Sequence, residues 1–165
     1  MIWKHIWTFV FGLVCLYLQL LFLPIFELFG VIPNILIPWL VYLVWTREIK
    51  PVLIIVFIIG LLYDTTLPES FGLHALLFVI MAVAIDQFRK PFESESVAAK
   101  MLTLLLAGLV YHLGGYLVLG VVYGFDIQLL QLMGIAFIYN LAVSIVVFWI
   151  LQFVSKLRIV ALHDQ

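Results

Sequence analysis

Long apolar runs, broken by short polar or proline-bearing stretches, set the rhythm of this chain. The first run, residues 6–27, exceeds the roughly 20 residues that a helix needs to cross a hydrocarbon core. Pro24 and the stretch Gly30-Val31-Ile32-Pro33-Asn34 interrupt the chain, and shorter runs follow at residues 32–46 and 51–64, separated by Arg47-Glu48-Ile49-Lys50. A fourth run covers residues 71–86, a fifth 97–123 with Ser96 placed to cap it, and a sixth 129–153, ending toward Lys156 and Arg158. No run alternates polar and apolar at period two, which excludes a barrel. The pattern predicts an all-α fold: a six-helix transmembrane bundle forming a single integral membrane domain over residues 1–165.

The second and third runs are each short for a span. A re-entrant hairpin with the Arg47-Glu48-Ile49-Lys50 tip in mid-membrane is the other possibility, but its charges would each cost about 2.5–3.5 kcal/mol there. Two short spans joined by a surface turn are therefore expected. Basic residues then set the orientation. With the N-terminus inside, Lys4, Arg47, Lys50, Arg89, Lys90, Lys100, Lys156 and Arg158 are all cytoplasmic, as is the C-terminus. The outer connections hold only the acids Glu27, Asp64, Glu69 and Asp126.

Composition agrees with a lipid solvent. The chain is 67% hydrophobic and 10% charged with a mean hydropathy of +1.29, whereas soluble domains are roughly half apolar and a quarter charged. A net charge of -1 offers no nucleic-acid surface. Cys15, the single cysteine, excludes an internal disulfide and argues against a metal site. The N-terminal run has no small-residue cleavage site after it, so it reads as a retained helix. No zinc-protease helix, nucleophile elbow or phosphate loop is present, so neither an enzyme nor a cofactor is expected. Trp39, Trp45, Tyr63, Tyr123 and Trp149, near the ends of runs, read as interfacial anchors.

The densest chemistry lies between Gly60 and Leu76, Gly-Leu-Leu-Tyr-Asp-Thr-Thr-Leu-Pro-Glu-Ser-Phe-Gly-Leu-His-Ala-Leu. An ionisable group at a membrane border is a site hypothesis by default. Asp64, Pro68, Glu69 and Gly72 are either only a tight outer hairpin whose acid bonds nearby backbone donors or a turn with an additional partner or ligand role, a docking surface above all. Asn34, following Pro33, is either a helix-start cap or a member of the same surface. Gln19 and His74 fall in the outer half of the bilayer, and His112 and Asn140 near its middle. Polar groups on five helices are thus placed to line an outward cavity. The alternative, interhelical hydrogen-bond glue for Gln19, His112 and Asn140, is the reading taken for the latter two. Gly120-x-x-x-Gly124 matches the small-residue pattern of helix pairing.

Three segments resemble the MreD family of bacterial rod-shape-determining proteins: Pro33-Asn34 before an aliphatic run, Gly60-Leu61-Leu62-Tyr63-Asp64 with Gly72-Leu73-His74-Ala75-Leu76, and Tyr139-Asn140. The family often carries a further glycine where Val56 stands, which implies looser packing of the third helix here. The resemblance implies a multi-pass protein of the bacterial cytoplasmic membrane within the elongation machinery. Its implied partners are a single-span MreC-like protein, MreB, the glycosyltransferase RodA and RodA's partner transpeptidase. The competing class is the six-helix substrate-binding subunit of energy-coupling-factor vitamin transporters, whose fold MreD-like proteins are thought to share. Against it, the first helix lacks the Ala-x-x-x-Ala pattern usual in such subunits.

Overall fold

The computed structural model covers residues 2–66, 68–92 and 96–163, with side chains described for all of these except Ile2, Lys4, Glu69 and residues 155–163. Among the described residues there are six α-helices and no strand: α1 (Ile2–Leu21), α2 (Leu36–Thr46), α3 (Ile49–Asp64), α4 (Leu73–Arg89), α5 (Val97–Tyr123) and α6 (Ile127–His163).

Local chemistry explains where they begin and end. Pro24 sits in a 3-10 turn, Leu23–Phe26, that follows α1 and leaves Glu27 outside the helix. The chain then reverses at Leu28–Val31, whose backbones exchange hydrogen bonds of 3.0 and 2.9 Å. Phe29 and Gly30, the central residues, have φ of 54° and 77°, the signs of a primed hairpin turn. Pro33 has no N–H and disfavours helix in Ile32 before it, and α2 begins at Leu36. Pro51 sits in the first turn of α3, where a missing N–H breaks no helical bond. Asp86 pairs with Arg89 at 2.8 Å and with Lys90 at 3.6 Å, and these (i, i+3) and (i, i+4) contacts carry α4 past its apolar run. Ser96 caps α5 by accepting from Ala99 N at 3.3 Å. After Gly134 no glycine or proline interrupts α6.

α2 is the centre of the bundle. It packs on all five other helices, which follow around it in the order α1, α3, α4, α5, α6. Leu36, Leu40, Val41 and Val44 have no exposure at all. A helix that is apolar on every side is expected to be enclosed. Trp39, in the first turn of α2, is enclosed with them at 1% exposure, which corrects its reading as an interfacial anchor. Val56 is also fully buried, its side chain filling the place where the family often has a glycine.

The outer helices are built the other way round. Trp3, Trp7, Val10, Val14 and Tyr17 form an exposed apolar stripe on α1, and Val146, Ile150 and Phe153 continue the theme on α6. Val97–Tyr123 and Ile127–Val154 are long and apolar enough to cross a membrane, while His5–Leu21 and Leu36–Thr46 are apolar but shorter. Gly124, with φ +95°, ends α5, and Gly120 lies under the ring of Phe125. That glycine pair therefore serves the chain's own turn.

Candidate functional site

Two polar clusters occupy the end of the bundle where the α1–α2, α3–α4 and α5–α6 connections gather. The first begins at α2. A helix start leaves backbone donors without helical partners, and inside an apolar bundle each must be answered by protein. Three side-chain carbonyls from different parts of the chain do so. Asn140 Oδ1 accepts from Asn34 N at 2.6 Å, Gln19 Oε1 from Ile35 N at 2.9 Å, and Asn34 Oδ1 from Leu36 N at 2.9 Å. Gln19 Nε2 also donates to Pro33 O at 3.0 Å. The network then runs outward from these groups. Asn34 Nδ2 donates to Tyr111 Oη at 3.0 Å, and Asn140 Nδ2 donates to Ala136 O at 2.9 Å and to His112 Nε2 at 3.3 Å. His112 Nδ1 donates to Gly108 O at 2.9 Å, so both ring nitrogens are engaged.

The second cluster joins α3 to α4. Gly72 opens α4 with φ +90°, a conformation that suits glycine, and has no side chain to cap the helix. Asp64, the last residue of α3, supplies the cap instead. Its carboxylate accepts from His74 N at 3.1 Å and Ala75 N at 3.0 Å, the donors a capping side chain normally satisfies. It also accepts from His74 Nδ1 at 2.7 Å. A carboxylate at a helix N-terminus is favoured electrostatically as well. Gly60, one turn before Asp64, permits the approach, because a Cβ there would stand 2.5 Å from Ala75 Cα.

Aromatic rings connect the clusters. Tyr63 and His74 meet edge to face with centroids 4.5 Å apart, His74 and Tyr111 lie 5.9 Å apart, and Tyr111 and His112 5.1 Å. Beside them is a cavity of about 310 Å³, whose polar lining comes from Asn34, Tyr63, Ser70, His74, Tyr111, His112 and Asn140.

The residues singled out from sequence thus separate. Asn34, His74, His112 and Asn140 share the cavity, whereas Gln19 is held at the start of α2. Asp64 has 0% exposure, so its charge is met within the chain and not turned toward the outside. Pro68 is exposed on a 3-10 turn with Ser70, and the side chain of Glu69 lies outside the described ones. Tyr111 was missed. Its signal was a tyrosine in the middle of a long apolar run, away from the ends where aromatics anchor. Among the described residues, no group of three His, Cys, Asp or Glu is placed to hold a metal ion.

Residues 2–157 match the family of the rod shape-determining protein MreD. The chain belongs to the MreD family. No curated protein and no solved structure matches it. MreD proteins are membrane proteins that determine rod shape, and the matched region of this member contains both clusters. The segments through which the chain resembled the family have physical work in the fold: Pro33-Asn34 and Asn140 build the start of α2, and Gly60, Asp64, Gly72 and His74 build the start of α4.

Proposed function

We propose that this MreD-family chain is a six-span, non-enzymatic scaffold of the elongation machinery, in the bacterial cytoplasmic membrane with both termini inside. On this reading it docks a single-span MreC-type partner at its outer rim and works beside MreB, RodA and RodA's partner transpeptidase. The observation that carries the docking surface is the stretch Pro68–Gly72 before α4, which runs into the helix start capped by Asp64 and exposes the ring of Phe71 at 62%. Phe29, 83% exposed on the Leu28–Val31 turn, is a second ring of this kind. Aromatic side chains displayed on shaped turns are the usual anchors of an interface. Pro68 and Gly72 hold the turn in form before contact, and Glu69 brings an acid to a side of the chain without Lys or Arg, which favours a basic partner.

Phe71→Glu tests the surface without touching the interior. It is expected to abolish recovery of the partner in a detergent pull-down, and rod shape in cells, at unchanged protein abundance. Recovery equal to wild type with cells still rod-shaped would remove the docking surface. Asp64→Asn is expected to lower abundance and recovery together, because it acts through the fold.

The cavity favours a second reading, the substrate-binding subunit of an energy-coupling-factor vitamin transporter. A vitamin retained through purification, with an unchanged pull-down for Phe71→Glu, would replace the scaffold reading by this one.

A further inference from the structure

We propose that the cavity at the connection end of the bundle binds a small organic ammonium ion with an apolar body. The inference stands whether the chain is a scaffold or a transporter subunit, because it rests on the cavity alone.

At two points of the cavity wall a hydrogen-bonding group faces no described partner. His74 gives its Nδ1 proton to Asp64, which leaves Nε2 as an acceptor with no partner among the described residues. Among the described residues no enclosed side-chain nitrogen or oxygen lacks a partner, so Nε2 is not sealed within protein. The space it opens to is the cavity that His74 lines. Tyr111 is the second point, since its hydroxyl oxygen accepts from Asn34 while no described group takes its proton. His112 differs from His74, both of its nitrogens being engaged by Gly108 and Asn140.

The choice of ligand follows from these groups. Among the described residues no Lys or Arg lines the cavity, so a carboxylate or phosphate would find neutral hydroxyl donors such as Tyr111 but no cation to balance its charge. A pure hydrocarbon would leave the imidazole acceptor covered and unpaired, which is costly. An ammonium N–H donates to Nε2, and the imidazole passes that interaction to the Asp64 carboxylate behind it. Tyr63, His74, Tyr111 and His112 offer aromatic surface on the same side, which attracts cations. Leu73, Leu77, Leu119, Leu132 and Met133 complete an apolar wall for the body of the molecule. A cavity of about 150 Å³ holds benzene, so about 310 Å³ accommodates one ring with its head group.

The experiment uses the full chain in detergent micelles, with histidine rings labelled with 15N, titrated with benzylammonium and, for comparison, with benzyl alcohol and benzoate. Benzylammonium is expected to shift the His74 ring nitrogens saturably, with the signal assigned through His74→Phe. In equilibrium dialysis, His74→Phe keeps the ring but not the acceptor and is expected to weaken binding about tenfold or more. Ala136→Leu, which fills the cavity from α6 and leaves the His74–Asp64 contact alone, is expected to weaken it comparably and keeps the test valid if His74→Phe does not fold. Binding that does not saturate, that survives Ala136→Leu, or that is matched by benzyl alcohol or benzoate overturns the proposal.

Discussion

At Gly60 a single hydrogen in place of a methyl group decides whether two helices meet. A Cβ there would stand 2.5 Å from Ala75 Cα and 2.8 Å from Ala75 N, contacts with backbone that cannot swing aside. Gly60→Ala is therefore expected to lower stability in detergent unfolding by about 1–3 kcal/mol. Gly115→Ala is the matched control, because nothing lies within 4 Å of the added atom, and it is expected to leave stability unchanged or raise it by up to about 1 kcal/mol through helix propensity. Asp64→Asn removes the charge that answers His74 and the first turn of α4, and about 1–3 kcal/mol should be lost in the same measurement. The spacing from Gly60 to His74 marked this stretch as unusual before any coordinates. Which way the acid points was not legible, because it depends on donors ten and eleven residues further on coming within about 3 Å of it.

Among the elements, α2 is the one whose sequence says least about its surroundings. Eleven residues, Leu36–Thr46, are apolar on every side, which predicts burial but not the partners. Its N-terminus is finished by Gln19 from α1, Asn140 from α6 and Asn34 from the preceding segment. Asn140→Leu takes away the acceptor of the Asn34 amide, and Gln19→Leu that of Ile35. Each is expected to cost about 1–2 kcal/mol, with faster hydrogen exchange confined to the amide that lost its acceptor. Exchange unchanged at both amides would show that other groups satisfy the start of the helix. In the sequence these residues are isolated polar letters on separate runs. Their association requires knowing how the helices are ordered around α2.

For the whole molecule, the one-sided distribution of Lys and Arg leads to a test of the proposed topology. Thr66 and Phe92 are exposed on the α3–α4 and α4–α5 connections. In a Cys15→Ala background, Thr66→Cys is expected to react with an impermeant maleimide from outside intact cells, and Phe92→Cys only after the membrane is opened. Labelling of both from one side would end the six-span arrangement. Helical class, the number of helices and membership of the MreD family were determined by the sequence alone. They rest on run length, on proline and glycine punctuation and on short motifs, all local properties of the chain. The enclosure of Trp39 and Asp64, the sharing of one cavity by Asn34, His74, His112 and Asn140, and the part of Tyr111 were decided by tertiary structure. The physical reason is that a polar group in an apolar bundle is placed by whichever donor or acceptor the neighbouring helix brings to it, and helix order around α2 is not written in the periodicity of any one run.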